Sequence, residues 1–143
     1  MNGLNLDLTE EQTQIRDTVR DFAASELAPQ AAARDESQEF PLEAFKKMWQ
    51  LGLLGIPFPE YLGGAGADAL SYILAVEEVA KVCASTALGL AAHTSLGTWP
   101  IYAFGTDAQK KKYVPKLASG EWIGCFGLTE PGAGSASGGT QTA

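Results

Sequence analysis

Within these 143 residues the groups best suited to holding a ligand fall in one segment, Phe126–Ser135, which reads FGLTEPGAGS. Gly132 and Gly134 let backbone amides approach a bound molecule closely, and successive amides can form an anion-binding nest. Thr129 and Ser135 add hydroxyls that both donate and accept. A loop of this kind suits a phosphate or the polar edge of a flavin, and a plain surface turn fits the same residues. Glu130 is the one carboxylate within the loop. There is no GxGxxG after a strand and no GxxxxGK[ST], which removes the common dinucleotide and P-loop readings. His93 is the only histidine. It lacks a partnering Asp, Ser or Cys and is given no catalytic role. Cys83 and Cys125 lie 42 positions apart, without CxxC spacing, and read as reduced core residues.

Helices must position that segment. Thr9 and Gln12 form a capping box, and Ile15, Val19, Phe22 and Leu27 follow near helical spacing until Pro29 marks a bend or break. A second helix is expected with Pro41 at its first position, Leu42, Phe45, Met48 and Trp49 on one face, and Gly52 as its stop. The Gly- and Pro-rich stretch from Gly52 to Asp68 is expected to be an ordered loop, because Leu53, Leu54, Ile56 and Phe58 need burial. Leu70, Ile73, Leu74, Val76, Val79 and Ala80 give a third helix, apolar around more than half its circumference. A fourth spans Ser85 to Leu96, with small residues that permit close approach. Gly97 and Pro100 break it before a short apolar segment, Ile101 to Phe104. Thr106 and Gln109 then open a last helix.

After Ser119 the character changes. Residues 121–129, EWIGCFGLT, read as a strand of aromatic and β-branched type. Seven of the 16 glycines fall between Gly120 and Gly139, and no charged residue follows Glu130. A single strand cannot satisfy its own backbone, so this one calls for partners outside the sequence. The expectation is a chain cut inside a second domain.

Composition narrows the function classes. Apolar residues make up 45% and charged residues 19%, a globular balance. The net charge is −7, which argues against a nucleic-acid partner. The one basic run, Lys110 to Lys112, reads as a solvated helix face. The opening MNGLNLDLTEEQ has neither a signal-peptide pattern nor transit-peptide arginines. The uncharged stretch Val82–Thr106 contains Gly, Pro, His and hydroxyls and falls short of a membrane span. A cytoplasmic, soluble protein is expected.

The run Cys125–Ser135, CFGLTEPGAGS, resembles the flavin-binding signature of acyl-CoA dehydrogenases. Upstream, Pro59–Asp68 (PEYLGGAGAD), His93–Ile101 (HTSLGTWPI) and Phe104–Glu121 (FGTDAQKKKYVPKLASGE) resemble the same family in order and spacing, from about Leu6 to the end. The resemblance implies a mainly α fold: an N-terminal helical bundle over 1–120, then the first strand of the barrel-like middle β-domain over 121–143. It implies FAD as cofactor. By position Phe126, Leu128, Thr129, Gly134 and Ser135 would bind the flavin, with Leu128 and Thr129 hydrogen bonding to its ring. Ser135 would also touch the acyl-CoA. Leu88, Ala92 and Leu96, at i, i+4 and i+8 on the fourth helix, would line the base of the acyl pocket, with a stripe of core packing as the alternative. The family pattern has Asp where this chain has Ala136, and that Asp would order the loop.

The resemblance implies α,β-desaturation of an acyl-CoA thioester: a carboxylate takes the α-proton while the β-hydrogen leaves as hydride to the flavin. That base is expected in a C-terminal part, so no catalytic residue is assigned here. Electrons would pass to an electron-transfer flavoprotein, and the complete protein would be a homotetramer. A non-catalytic helical interaction module, or an acyl-CoA oxidase or flavin monooxygenase of the same fold, are the alternatives.

Overall fold

The computed structural model describes residues 7–142, so the first six positions of the expected leaderless opening, Leu6 among them, lie outside the described residues. Helix α1, Glu10–Phe22, starts at the foreseen capping box: the Thr9 hydroxyl accepts from the Gln12 amide, and the Gln12 side chain accepts from the Thr9 amide. A π turn, Ala23–Leu27, and a 3-10 turn, Ala28–Gln30, carry the chain past Pro29 into α2, Ala31–Ser37. The bend at Pro29 is thus a tightening of the helix and not its end. Helix α3, Leu42–Gln50, has Pro41 at its N-cap, one position earlier than expected, and stops at Gly52 with φ 73°. Phe45 and Met48 are buried, whereas Leu42 and Trp49 stay about half exposed.

The stretch after Gly52 is ordered. Leu53, Leu54, Ile56 and Phe58 are all buried, and the backbone folds on itself: Ala65 donates to Gly55, Gly66 to Phe58 and Ala67 to Ile56. Gly64 lies so close to the Phe58 carbonyl that a Cβ would meet its oxygen at 2.0 Å, so no other residue fits there.

Helix α4, Ala69–Ala80, packs along α1. Gln12 donates to Asp68, the N-cap of α4, at 2.7 Å, and Arg20 donates twice to Glu78 at 3.1 and 3.2 Å. The start of one helix meets the start of the other and the end meets the end, so the two run parallel. The face of α4 that packs inward is Ser71, Ala75, Glu78 and Val79, while Leu70 and Ile73 are exposed. The helix is apolar around more than half its circumference as expected, but it is not enclosed on all those sides. Its apolar surplus is uncovered, because a small-residue face makes the close contact with α1.

Helix α5, Ala84–Ala91, continues through a π turn, Ala92–Thr98, into α6, Trp99–Phe104. The expected break at Gly97 and Pro100 is absent. A π turn widens the helix by one residue per turn, and Pro100 sits in the first turn of α6, where a missing N–H costs least. Helix α7, Asp107–Ala118, opens at the Thr106–Gln109 capping box. One apolar cluster joins α1, α3, α4 and α5; a second joins Phe58 and Leu62 to Val114 and Ala118 of α7.

No strand occurs among the described residues, so the strand expected over 121–129 is corrected. The segment is extended but has no neighbouring strand to pair with, and its one bridge is the turn Glu130–Ala133. A mainly helical body with an unpaired extension is the observed architecture.

Candidate functional site

The extended segment leaves α7 at a defined corner. Gly120 has φ 73°, and a Cβ there would meet Trp49 at 2.7 Å and Leu54 at 2.8 Å. Lys116 pairs with Glu121 at 3.1 Å and lies over the Trp122 ring at 4.4 Å. Two residues on, Gly124 lies flat against the π turn: its amide donates to His93 Nδ1 at 2.9 Å, and a Cβ on Gly97 would meet Gly124 at 2.7 Å. His93 is fully buried, and burial holds its imidazole below the usual histidine range, with the backbone of Leu117 and Leu54 opposing. Its Nε2 and the Thr94 hydroxyl are buried without a hydrogen-bond partner.

Beyond Gly124 the sequence-predicted ligand residues are all solvent-facing. Phe126 is 51% exposed and Leu128 42%; Thr129, Gly134 and Ser135 are exposed too. Nothing lies within 4 Å of where a Cβ would stand on Gly127, Gly132 or Gly134. Cys125 is also exposed, which corrects its reading as a core residue; Cys83 is buried as expected. A flat heterocycle needs an uncovered backbone edge beside apolar side chains, and the stretch Phe126–Thr129 offers both. The residues present therefore fit a flavin.

Glu130 is engaged locally. Its carboxylate accepts from the amides of Gln141 at 2.9 Å and Thr142 at 3.0 Å, and its backbone exchanges hydrogen bonds with Ala133. The Gln141 amide is the chief cause of a carboxyl held below its usual range. A carboxylate tied this way closes a loop, and the bonds to its charged form lower its tendency to take a proton. Ala136 precedes a 3-10 turn, Ser137–Gly139, whose end is tied by Gly139 donating to the Ala136 carbonyl.

The second predicted group sits on the helical body. Leu88 is 69% exposed and Leu96 47%, with Ala92 half-buried between them. Within this chain the stripe is surface, not core. Three clefts of about 500 to 550 Å³ on this surface involve none of these three residues and none of 126–135. The structure thus holds the two groups on one scaffold, each with its side chains open to solvent.

Sequence reasoning missed several residues. Glu78 is buried and receives Arg20 and Lys81; hydrogen bonding from Arg20 is the main reason its carboxyl is held low. An acidic residue one step from Val79 on an apolar helix was the available signal. At Cys83, burial pushes the thiol up, but hydrogen bonding to Ser85 and Thr86, with Arg34 nearby, outweighs it and leaves the group at about 7. No local spacing announces Arg34 from 49 positions away.

Residues 9–121 match the family described as "Acyl-CoA dehydrogenase, N-terminal domain". The chain belongs to the acyl-CoA dehydrogenase family. It is 57% identical over 139 residues to a probable acyl-CoA dehydrogenase of Bacillus subtilis, covering 97% of this chain and 37% of that relative. The butyryl-CoA dehydrogenase of Megasphaera elsdenii superposes with a TM-score of 0.91 at 42% identity, over 97% of this chain and 37% of that one. An acyl-CoA dehydrogenase of Bacillus anthracis, solved in complex with FAD, gives a TM-score of 0.87 at 38% identity, over 94% and 23%. The chain therefore spans little more than a third of the curated relatives it matches. Among the described residues no helix is long and apolar enough to cross a membrane, and no cluster of metal-ligating side chains occurs.

Proposed function

We propose that the chain is the amino-terminal part of an FAD-dependent acyl-CoA dehydrogenase, with a helical domain over 1–120 and the start of the middle β-domain over 121–143. The observation that carries this reading is the exposed edge Phe126–Ser135, anchored to the helical body only at its root. The backbone and hydroxyl of Thr129, the backbone of Leu128 and the glycine at 134 are free to hold the polar rim of the flavin, with Phe126 beside it. Ser135 serves flavin and acyl-CoA together. Leu88, Ala92 and Leu96 supply an uncovered apolar stripe for the acyl tail, whose burial is worth about 0.8 kcal/mol per methylene. Bound FAD supplies the two-electron acceptor for the hydrogen leaving the β-carbon.

The α-proton needs a carboxylate within hydrogen-bond reach of the thioester's α-carbon. Glu130, the one carboxylate within Phe126–Ser135, already accepts from Gln141 and Thr142, and the proposal places the base in a C-terminal part. Electrons then pass to an electron-transfer flavoprotein, and the complete protein is a cytoplasmic homotetramer acting in fatty-acid metabolism. The test compares this chain with one extended to the length of its relatives, each mixed with FAD and then butyryl-CoA or octanoyl-CoA. Substrate-dependent bleaching of the flavin is expected in the extended protein and not in the 143-residue chain. Bleaching by neither, with no flavin retained, leaves a helical interaction module as the surviving reading.

A further inference from the structure

The contact between the helical body and the flavin-facing segment narrows to a few atoms. Thr98 donates to the His93 carbonyl at 2.8 Å across the π turn, Gly97 presents bare backbone, and Gly124 lies on it. A Cβ on Gly124 would meet Gly97 Cα at 3.2 Å and the His93 carbonyl at 3.3 Å. The Gly124 amide has one acceptor, His93 Nδ1. From there to Thr129 the described backbone makes no hydrogen bond to the body.

We infer that His93 is a positioning residue: by accepting the Gly124 amide it fixes where the Phe126–Ser135 edge leaves the helical body. The assignment of that edge to flavin rests on the function proposed above; the latch itself does not. Nε2 makes no hydrogen bond of full geometry, although the backbone of Leu117 and Leu54 lies beside the ring. The hydrogen bond requires Nδ1 unprotonated and therefore the Nε2–H tautomer. A protonated ring would aim a second donor at the Gly124 N–H, and the latch would open.

Titration of this latch is uncomplicated by neighbouring charge. Helices α5 and α6 and the turn Leu53–Gly55 carry no charged residue. The charged residues of α7 are Asp107, Lys110, Lys111, Lys112 and Lys116, none of which is a cause of the shift at His93, and Lys116 is paired with Glu121. The segment brings only Glu121 and Glu130, the latter bound to Gln141 and Thr142.

The experiment is amide hydrogen exchange on the isotopically labelled 143-residue chain and on His93→Asn and His93→Leu. Asn places an acceptor oxygen near the position of Nδ1 and does not titrate; Leu fills the space and accepts nothing. Protection at Gly124 is expected in the parent and in His93→Asn, and a loss of tenfold or more in His93→Leu, with Leu90 and Val114 amides confirming an intact core. Parent protection should also fall as pH drops below the ordinary histidine value, and that of His93→Asn should not. If His93→Asn fails to fold, the parent's pH profile decides. Protection at Gly124 that survives His93→Leu with the core intact, or that ignores pH in the parent, overturns the inference. An FAD titration on the same proteins judges the other reading separately: no flavin bound by a chain extended to full length refutes the flavin assignment, whatever the exchange shows.

Discussion

Phe45 and Phe126 are the same residue in opposite circumstances. Phe45 is 2% exposed, stacked near Phe40 and pressed on Gly89, where a Cβ would stand 2.8 Å from its ring. Phe126 is 51% exposed and stands on a backbone that pairs with nothing. The body from α1 to α7 packs Val19, Leu27, Phe45, Met48, Val79 and Leu90 into a core of its own, although Leu70, Ile73, Leu88 and Leu96 stay outside it, whereas the described segment after Gly120 buries Ala133 alone. A region that folds for itself and a region prepared for something else thus share one short chain. The boundary is a single left-handed glycine.

The sharpest break of this contrast is a matched pair of truncations. Phe45→Ala should cost about 3–5 kcal/mol of unfolding free energy, since it empties a packed site. Phe126→Ala should change stability by no more than about 0.5 kcal/mol. Chemical denaturation followed by helical circular dichroism measures both, and similar values would mean that the segment is part of the core. Next in size is the boundary: Gly120→Ala adds a Cβ at positive φ against Trp49 and Leu54 and should cost about 1–3 kcal/mol.

Acid acts on the body as well as on Glu130 of the segment. Asp68 and Glu78 have carboxyls held below their ordinary values, chiefly by the Ser71 amide and by Arg20 respectively. Folding keeps them ionised, so their stabilisation is complete above the ordinary carboxylate value, near 4, and is lost as pH falls through the lowered folded values. A melting temperature that is flat from pH 5 downward would remove both from the account. The segment answers to smaller changes. Ala136→Asp places an acceptor at the start of the Ser137–Gly139 turn and should tighten FAD by about 1 kcal/mol in a chain of full length. Unchanged affinity in a flavin titration would deny the loop that role. Ala92→Phe in the same extended protein should shift preference to shorter acyl chains, and an unaltered chain-length profile would return the stripe to the role of plain surface.

What could be read from the sequence followed from local rules. Both capping boxes, the stop at Gly52 and the buried loop from Leu53 to Phe58 rest on neighbours within a few positions. The expectations that failed depended on distant partners. A strand over 121–129 has the right residues and no ladder to join, so propensity alone could not make one. Leu70 and Ile73 look like core until α1 chooses the small-residue face opposite. The continuity of α5 through to α6 was hidden because Pro100 breaks an α-helix but is tolerated after a π turn. For the proposed site, the residues of Phe126–Ser135 were visible in the sequence as a loop suited to a ligand. Its anchor at His93 was not, since 31 positions separate the acceptor from its amide.

The parallel run of α1 and α4 bears on how this chain reaches its fold. Their ties join residues 56 and 58 positions apart, where an antiparallel neighbour would need only a short turn. Closing a loop some ten times longer than a hairpin connection costs about 2 kcal/mol more in chain entropy before any contact rewards it. Contacts of long sequence separation slow the search for the native state. The pairing of Gln12 with Asp68 and of Arg20 with Glu78 is therefore expected to form late, after more local contacts have shortened the effective loop. A helical body built this way should fold more slowly than an up-and-down bundle of the same size, with the union of its first and fourth helices among the late events.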